Sequence, residues 1–172
     1  MAVAILGFAA VGAGAQQAEP MGGMAMHHEM KPVKPTGPLT VSFGDKEAEW
    51  PVEKLAALPH TSITVFNEHS KKNETYSGVL LMDLLAQVGM PAKPHGIDLK
   101  LYVVVAGADG YKAVYAGAEV TPDLHEATIL VADAQDGKPL GEDGPLKLVA
   151  TGEKRPARWV RNLASIEVRA AD

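Results

Sequence analysis

Hydrophobic positions come in short runs along this chain, interrupted by glycine, proline or aspartate, and the runs are strongest between residues 99 and 149. Residues 101–106 (Leu-Tyr-Val-Val-Val-Ala) are a continuous apolar run rich in β-branched and aromatic side chains, the pattern of a strand buried on both faces. Gly107-Ala108-Asp109-Gly110 supplies residues that tolerate a turn, and residues 111–115 then alternate apolar with small or polar side chains, as a returning half-buried strand does. Residues 127–132 predict a further strand, ended by Asp136-Gly137-Lys138-Pro139 and resumed at 145–149. On this pattern the second half of the chain is one sheet.

The first half alternates strand and helix less regularly. Residues 39–43 alternate, Gly44-Asp45 turns, and residues 47–50 return, which predicts a hairpin. Residues 51–59 predict a short helix with Pro51 in its first turn, Leu55 and Leu58 inward, and Pro59 as the stop. Residues 61–66 are rich in β-branched side chains and predict a strand. The polar stretch 67–75 reads as a loop, and Tyr76-Ser77-Gly78 leads into residues 79–88, whose spacing suits a mostly buried helix closed by Gly89. Thr121-Pro122 reads as a helix start with Thr121 as N-cap, and residues 163–168 as a last strand with Ile166 and Val168 inward. More strand than helix, short connections and irregular alternation predict an α+β fold, mostly β, with mixed sheets and a few short helices. No internal repeat is present.

Ahead of this domain, assigned to residues 39–170, lie two segments of another character. Residues 1–11 are almost wholly apolar and Ala13-Gly14-Ala15 has the small-x-small form of a signal peptidase site, so residues 1–15 read as a signal peptide and the protein as periplasmic or secreted. No Lys or Arg precedes the apolar run. A buried N-terminal helix is the competing reading, opposed by Gly7, Gly12 and Gly14. The apolar run is too short for a stable membrane span. Residues 16–38 read as a flexible tether containing Met21, Met24, Met26, His27, His28 and Met30. Thioether and imidazole groups this close together suit a copper ion; an exported linker with incidental Met and His fits the same residues.

Composition narrows the chemistry. The 172 residues are 47% hydrophobic and 22% charged, as in one globular domain, and the formal net charge of -5 offers no broad basic surface for nucleic acid. There are no cysteines, which excludes disulfides, thiolate metal sites and thiol nucleophiles. No serine stands in a G-x-S-x-G turn, no HExxH is present, and no phosphate-cradling glycine loop precedes a lysine. Residues 152–161 place Lys154, Arg155, Arg158 and Arg161 beside Trp159, either as forked donors for an anion or as a solvated turn. His125, between Asp123, Glu126 and the preceding proline, reads as a surface residue before a ligand.

The order of motifs is more telling than any one of them. Thr75-Tyr-Ser-Gly-Val-Leu-Leu-Met-Asp-Leu-Leu-Ala-Gln-Val-Gly89, Val105-Ala-Gly-Ala-Asp-Gly-Tyr111, Ile129-Leu-Val-Ala132, Asp136-Gly-Lys-Pro-Leu140, Gly144-Pro-Leu-Lys-Leu-Val149 and Trp159-Val-Arg-Asn-Leu-Ala-Ser-Ile-Glu-Val168 together resemble the oxidoreductase molybdopterin-binding domain of the sulfite oxidase type. The resemblance covers about residues 39–168. It implies a compact, mostly β domain which in catalytic members holds a molybdenum pterin and transfers oxygen atoms to or from small oxyanions or sulfoxides. In those members a cysteine thiolate in the loop after the strand matching residues 61–66 ligates the metal; here that loop reads Asn67-Glu68-His69-Ser70. Side-chain chemistry nominates Asn67, His69, Lys71, Lys72, Lys154, Arg155 and Arg158 as cofactor or anion contacts, and Tyr111 is added because its Asp-Gly-Tyr turn resembles the family's pattern, while a packed role with its hydroxyl on a backbone partner competes. The leading reading is an exported, non-catalytic binding or accessory module without bound cofactor, whose partner is a small anionic ligand or a periplasmic protein. Two alternatives are a molybdopterin-dependent oxidoreductase with a non-cysteine ligand and a periplasmic copper-handling protein acting through the Met/His segment.

Overall fold

A computed structural model describes residues 37–68 and 70–172. The signal-peptide assignment and residues 16–36 of the tether, with all six Met and His residues nominated for copper, lie outside the described residues, as does His69.

Two five-stranded sheets face one another. The first contains β1 (Leu39–Phe43), β2 (Lys46–Trp50), β5 (Leu101–Gly107), β6 (Lys112–Ala116) and β10 (Leu163–Ala170), in the order β2-β1-β10-β5-β6. It is mixed: β1 runs parallel to β10 and every other pair is antiparallel. The second contains β3 (Thr61–Asn67), β4 (Lys72–Leu80), β7 (Ile129–Gln135), the two-residue β8 (Lys138–Pro139) and β9 (Lys147–Ala150), all antiparallel, with β9 beside β7. Three short helices, α1 (Val52–Ala56), α2 (Leu81–Gln87) and α3 (Gly117–Val120), complete the α+β fold.

The main core lies between the sheets. Val41, Val103, Val105, Tyr115, Ile166 and Val168 from the first sheet meet Val79, Val131 and Leu148 from the second, with Leu81, Leu84 and Leu85 of α2 and Leu55 beside them. Each fully buried aliphatic side chain contributes about 2 kcal/mol. A second, smaller cluster covers the far face of the second sheet: Ile63, Tyr76, Leu130, Ala132, Leu140 and Val149, capped by Trp159.

Several local expectations are corrected. The strands after residue 99 do not form one sheet: β5 and β6 join the first, β7 to β9 the second. Nor is residues 101–106 the strand buried on both faces; its burial alternates, whereas Ile129, Leu130, Val131 and Ala132 are all buried because an apolar cluster lies on each side of β7. The loop expected over 67–75 ends at Lys71, and residues 79 and 80 continue β4 before α2 begins at Leu81. Val79 and Leu80 pair with Val131 and Leu130, and this pairing satisfies their backbone within the sheet. Thr121 caps no helix to its C-terminal side. It follows α3, and its hydroxyl donates back to the Gly117 carbonyl at 2.8 Å.

The β4–β7 ladder carries the bulge of this sheet. Ser77 pairs with Ala134 but Gly78 with Ala132, leaving Asp133 as the extra residue. A Cβ on Gly78 would lie 2.5 Å from the Ala132 Cα and closer still to the Val131 carbonyl oxygen, so the glycine of the Tyr-Ser-Gly motif is there because two backbones meet. The bulged Asp133 accepts a hydrogen bond from His60 Nε2 at 2.8 Å, while His60 Nδ1 donates to the Leu58 carbonyl at 2.7 Å. With both ring nitrogens donating, the imidazolium is favoured, and the Asp133 bond raises the His60 pKa above its ordinary value.

Two outcomes follow. Gly78→Ala destabilises the protein by about 3 kcal/mol, because neither backbone strand can yield to a methyl group; urea denaturation checks it. His60, with its folded pKa raised, contributes stability that is fully present below its unfolded value near about 6.5 and lost as pH rises through the folded value. The difference in urea midpoint between wild type and His60→Gln is therefore expected to be largest below that range and to shrink above it.

Candidate functional site

The outer face of the second sheet carries polar side chains at one end of its apolar cluster. Asn67 closes β3, Glu74 and Tyr76 lie two apart on β4, and Lys147 opens β9; strand alternation sends all four to the same face as Ile63 and Val149. Glu74 and Lys147 are each only 8% exposed, so both charges need partners.

Those partners form a continuous network. Asn67 Nδ2 donates to both Glu74 oxygens at 2.9 Å, Ser70 Oγ donates to Oε1 at 2.8 Å, and the Tyr76 hydroxyl donates to Oε2 at 2.8 Å. Lys147 Nζ donates to the Tyr76 oxygen at 3.2 Å and to Asp143 Oδ2 at 2.7 Å. It also stands 4.9 Å from the Tyr76 ring centre and 5.3 Å from that of Trp159, whose rings meet edge to face at 5.5 Å. Arg161 reaches the other Asp143 oxygen at 3.6 Å. Burial alone pushes the Glu74 carboxyl up, but the bonds from Asn67, Tyr76 and Ser70 and the Lys147 charge outweigh it and hold the pKa below the ordinary carboxylate value. Burial, reinforced by Glu74, raises the Tyr76 hydroxyl and keeps it a donor.

Above this network opens a cavity of about 510 Å³ lined by Asn67, Asp109, Tyr111, Asp143, Lys147 and Arg161, with Trp159 at its side. A second cavity of about 360 Å³ shares Asn67, Pro156 and Trp159 with it and adds Lys154 and Arg155. The turn after β3 and the segment 154–161 thus meet in one region. Tyr111 borders the larger cavity with its hydroxyl on the Ala157 carbonyl. Arg155 lines only the second. Arg158 faces another way: its guanidinium bonds Glu119 at 3.0 and 3.2 Å and Glu153 at 2.5 and 2.9 Å and lies 4.5 Å over the Tyr115 ring, tying residues 156–158 to α3 and β6.

The residues that organise the site, Glu74, Tyr76, Asp143 and Lys147, were not among the sequence candidates. Lys147 had a signal, a lone cation inside the apolar run Leu146-Lys-Leu-Val149, since a lysine buried in a strand requires a partner. Glu74 had none, because its stretch reads as loop.

The geometry is that of a two-sheet, mostly β domain with a polar cavity at the end of the second sheet. Residues 38–172 match the family model described as oxidoreductase molybdopterin binding domain, and the chain belongs to that family. No curated protein matches the chain. As a seat for a thiolate-held molybdenum, however, the described residues do not fit. The chain has no thiol, the Asn67 and Ser70 side chains are drawn onto Glu74, and the cavity cations Lys147 and Arg161 already face Asp143, with Asp109 adding a further carboxylate.

Glu74→Ala is expected to cost about 2 kcal/mol, since it leaves the Asn67, Ser70 and Tyr76 donors without their shared acceptor. With its folded pKa depressed, Glu74 contributes stability that is present above the unfolded carboxylate value and lost as pH falls through the folded one. Acid titration of the unfolding free energy is therefore shallower in Glu74→Gln than in wild type.

Proposed function

We propose that this protein is an exported, non-catalytic binding or accessory module of the molybdopterin-binding oxidoreductase family, using the cavity beside Asn67, Tyr111 and Arg161 to bind a small anionic ligand or a periplasmic protein. The observation that carries the reading is the Glu74 network. In catalytic relatives the turn after β3 presents a metal ligand; here its side chains at 67 and 70 are committed to a buried carboxylate of the chain itself. A soft, strongly donating thiolate sets the redox poise of such a metal, and asparagine or serine is no electronic equivalent. The apolar run at residues 1–11 with Ala13-Gly14-Ala15 supports export.

Family membership favours the enzyme as a second reading, an oxidoreductase whose molybdenum takes a hard ligand from Asn67, His69 or Ser70. Elemental analysis for molybdenum and copper, on full-length chain purified from a molybdate-fed, cofactor-competent host, separates the readings. Substoichiometric molybdenum is the expected result. Near-stoichiometric molybdenum that disappears in His69→Ala overturns it in favour of the enzyme, and copper without molybdenum transfers the binding role to Met21, Met24, Met26, His27, His28 and Met30.

A further inference from the structure

The smaller cavity is a groove between two stretches of chain. One wall is residues 64–68 in succession and the other residues 150–156. Consecutive strand residues point to opposite faces of a sheet, so a groove touched by five in a row runs along the strand's edge. That edge is open: among the described residues β3 pairs with β4 alone. The sequence Thr61-Ser-Ile-Thr-Val-Phe-Asn67 contains no charge and no proline, the usual means of blocking an edge, and Phe66 is 55% exposed.

Charge defines what the groove admits. Of its two acids, Glu68 is held by Lys71 at 2.6 Å and Glu153 by Arg158. Its two cations, Lys154 and Arg155, meet no carboxylate among the described residues. The groove therefore offers a strand edge, an exposed ring and a surplus of positive charge.

We propose that this groove docks an extended, acidic peptide segment of a partner protein, which adds to β3 as a further strand and sets a carboxylate against Lys154 and Arg155. Main-chain bonds to β3 supply affinity, and the cations select acidic over basic segments. Residues 64–68 accommodate about five residues, or about 17 Å of extended chain. The proposal holds whether or not the larger cavity binds a cofactor.

Fluorescence anisotropy of the full-length chain with the labelled peptide Glu-Val-Thr-Val-Glu tests it. Saturable binding is expected, lost when alternate peptide nitrogens are methylated, and accompanied by slowed exchange of the alternate amides in residues 61–67 that do not bond β4. The double variant Lys154→Glu, Arg155→Glu weakens the acidic peptide at least about tenfold and improves binding of Lys-Val-Thr-Val-Lys. If that variant fails to fold, the methylated peptide on wild-type protein still decides. Equal binding of the methylated peptide, an unchanged affinity in the folded double variant, or no saturation by about 1 mM overturns the proposal. Two exchange results without peptide also overturn it, read at the alternate amides of residues 61–67 that do not bond β4: their protection in the monomer, which assigns the edge to the chain's own residues 1–36, and their protection only with dimerisation, which assigns it to a second copy.

Discussion

The pairing of β4 with β7 at Gly78 is the constraint on which the site depends. Backbone passes backbone there with no room for a methyl group, and the extra residue on β7 turns Asp133 out to His60. Because the second sheet is apolar on both sides, a shift of register by one residue would exchange Tyr76 and Val79 between the two clusters and drive Glu74 toward the main core. The bulge and the glycine fix which β4 side chains face outward.

From that register the polar network follows. Glu74 and Tyr76 face outward beside Asn67, Lys147 enters from β9, and Trp159 closes over the lysine and tyrosine. A buried carboxylate and a buried ammonium are costly unless partnered, and here Glu74 accepts from Asn67, Ser70 and Tyr76 while Lys147 donates to Tyr76 and Asp143. The network gains its stability by binding side chains of its own turn, so the same physics that holds the site together commits Asn67 and Ser70 to Glu74. Arg158 shows a similar diversion: it became the anchor of residues 156–158 through two carboxylates and a ring.

Where the sequence was legible, its signals were local or serial. β-branched runs placed β3 and β5, the alternate apolar positions Ile166 and Val168 placed β10, glycine turns placed the hairpins, and the ordered motif series identified the family. It failed where strand pairing or a backward bond overrides the local pattern. Residues 79 and 80 have helical spacing but pair with β7, and Thr121 has cap chemistry but bonds backward to Gly117.

The sequence by itself determined the family, the α+β class, the strands that reveal themselves by side-chain type, and the absence of any thiolate, because these depend on residue identity and near-neighbour spacing. Only the tertiary structure decided that β5 and β7 belong to different sheets, that Gly78 is a point of backbone contact, and that Glu74 and Lys147 are buried partners of one network. Tyr76 and Lys147 are 71 residues apart. No local pattern encodes a hydrogen bond across that separation; burial brings the two together, and burial belongs to the packed sheets.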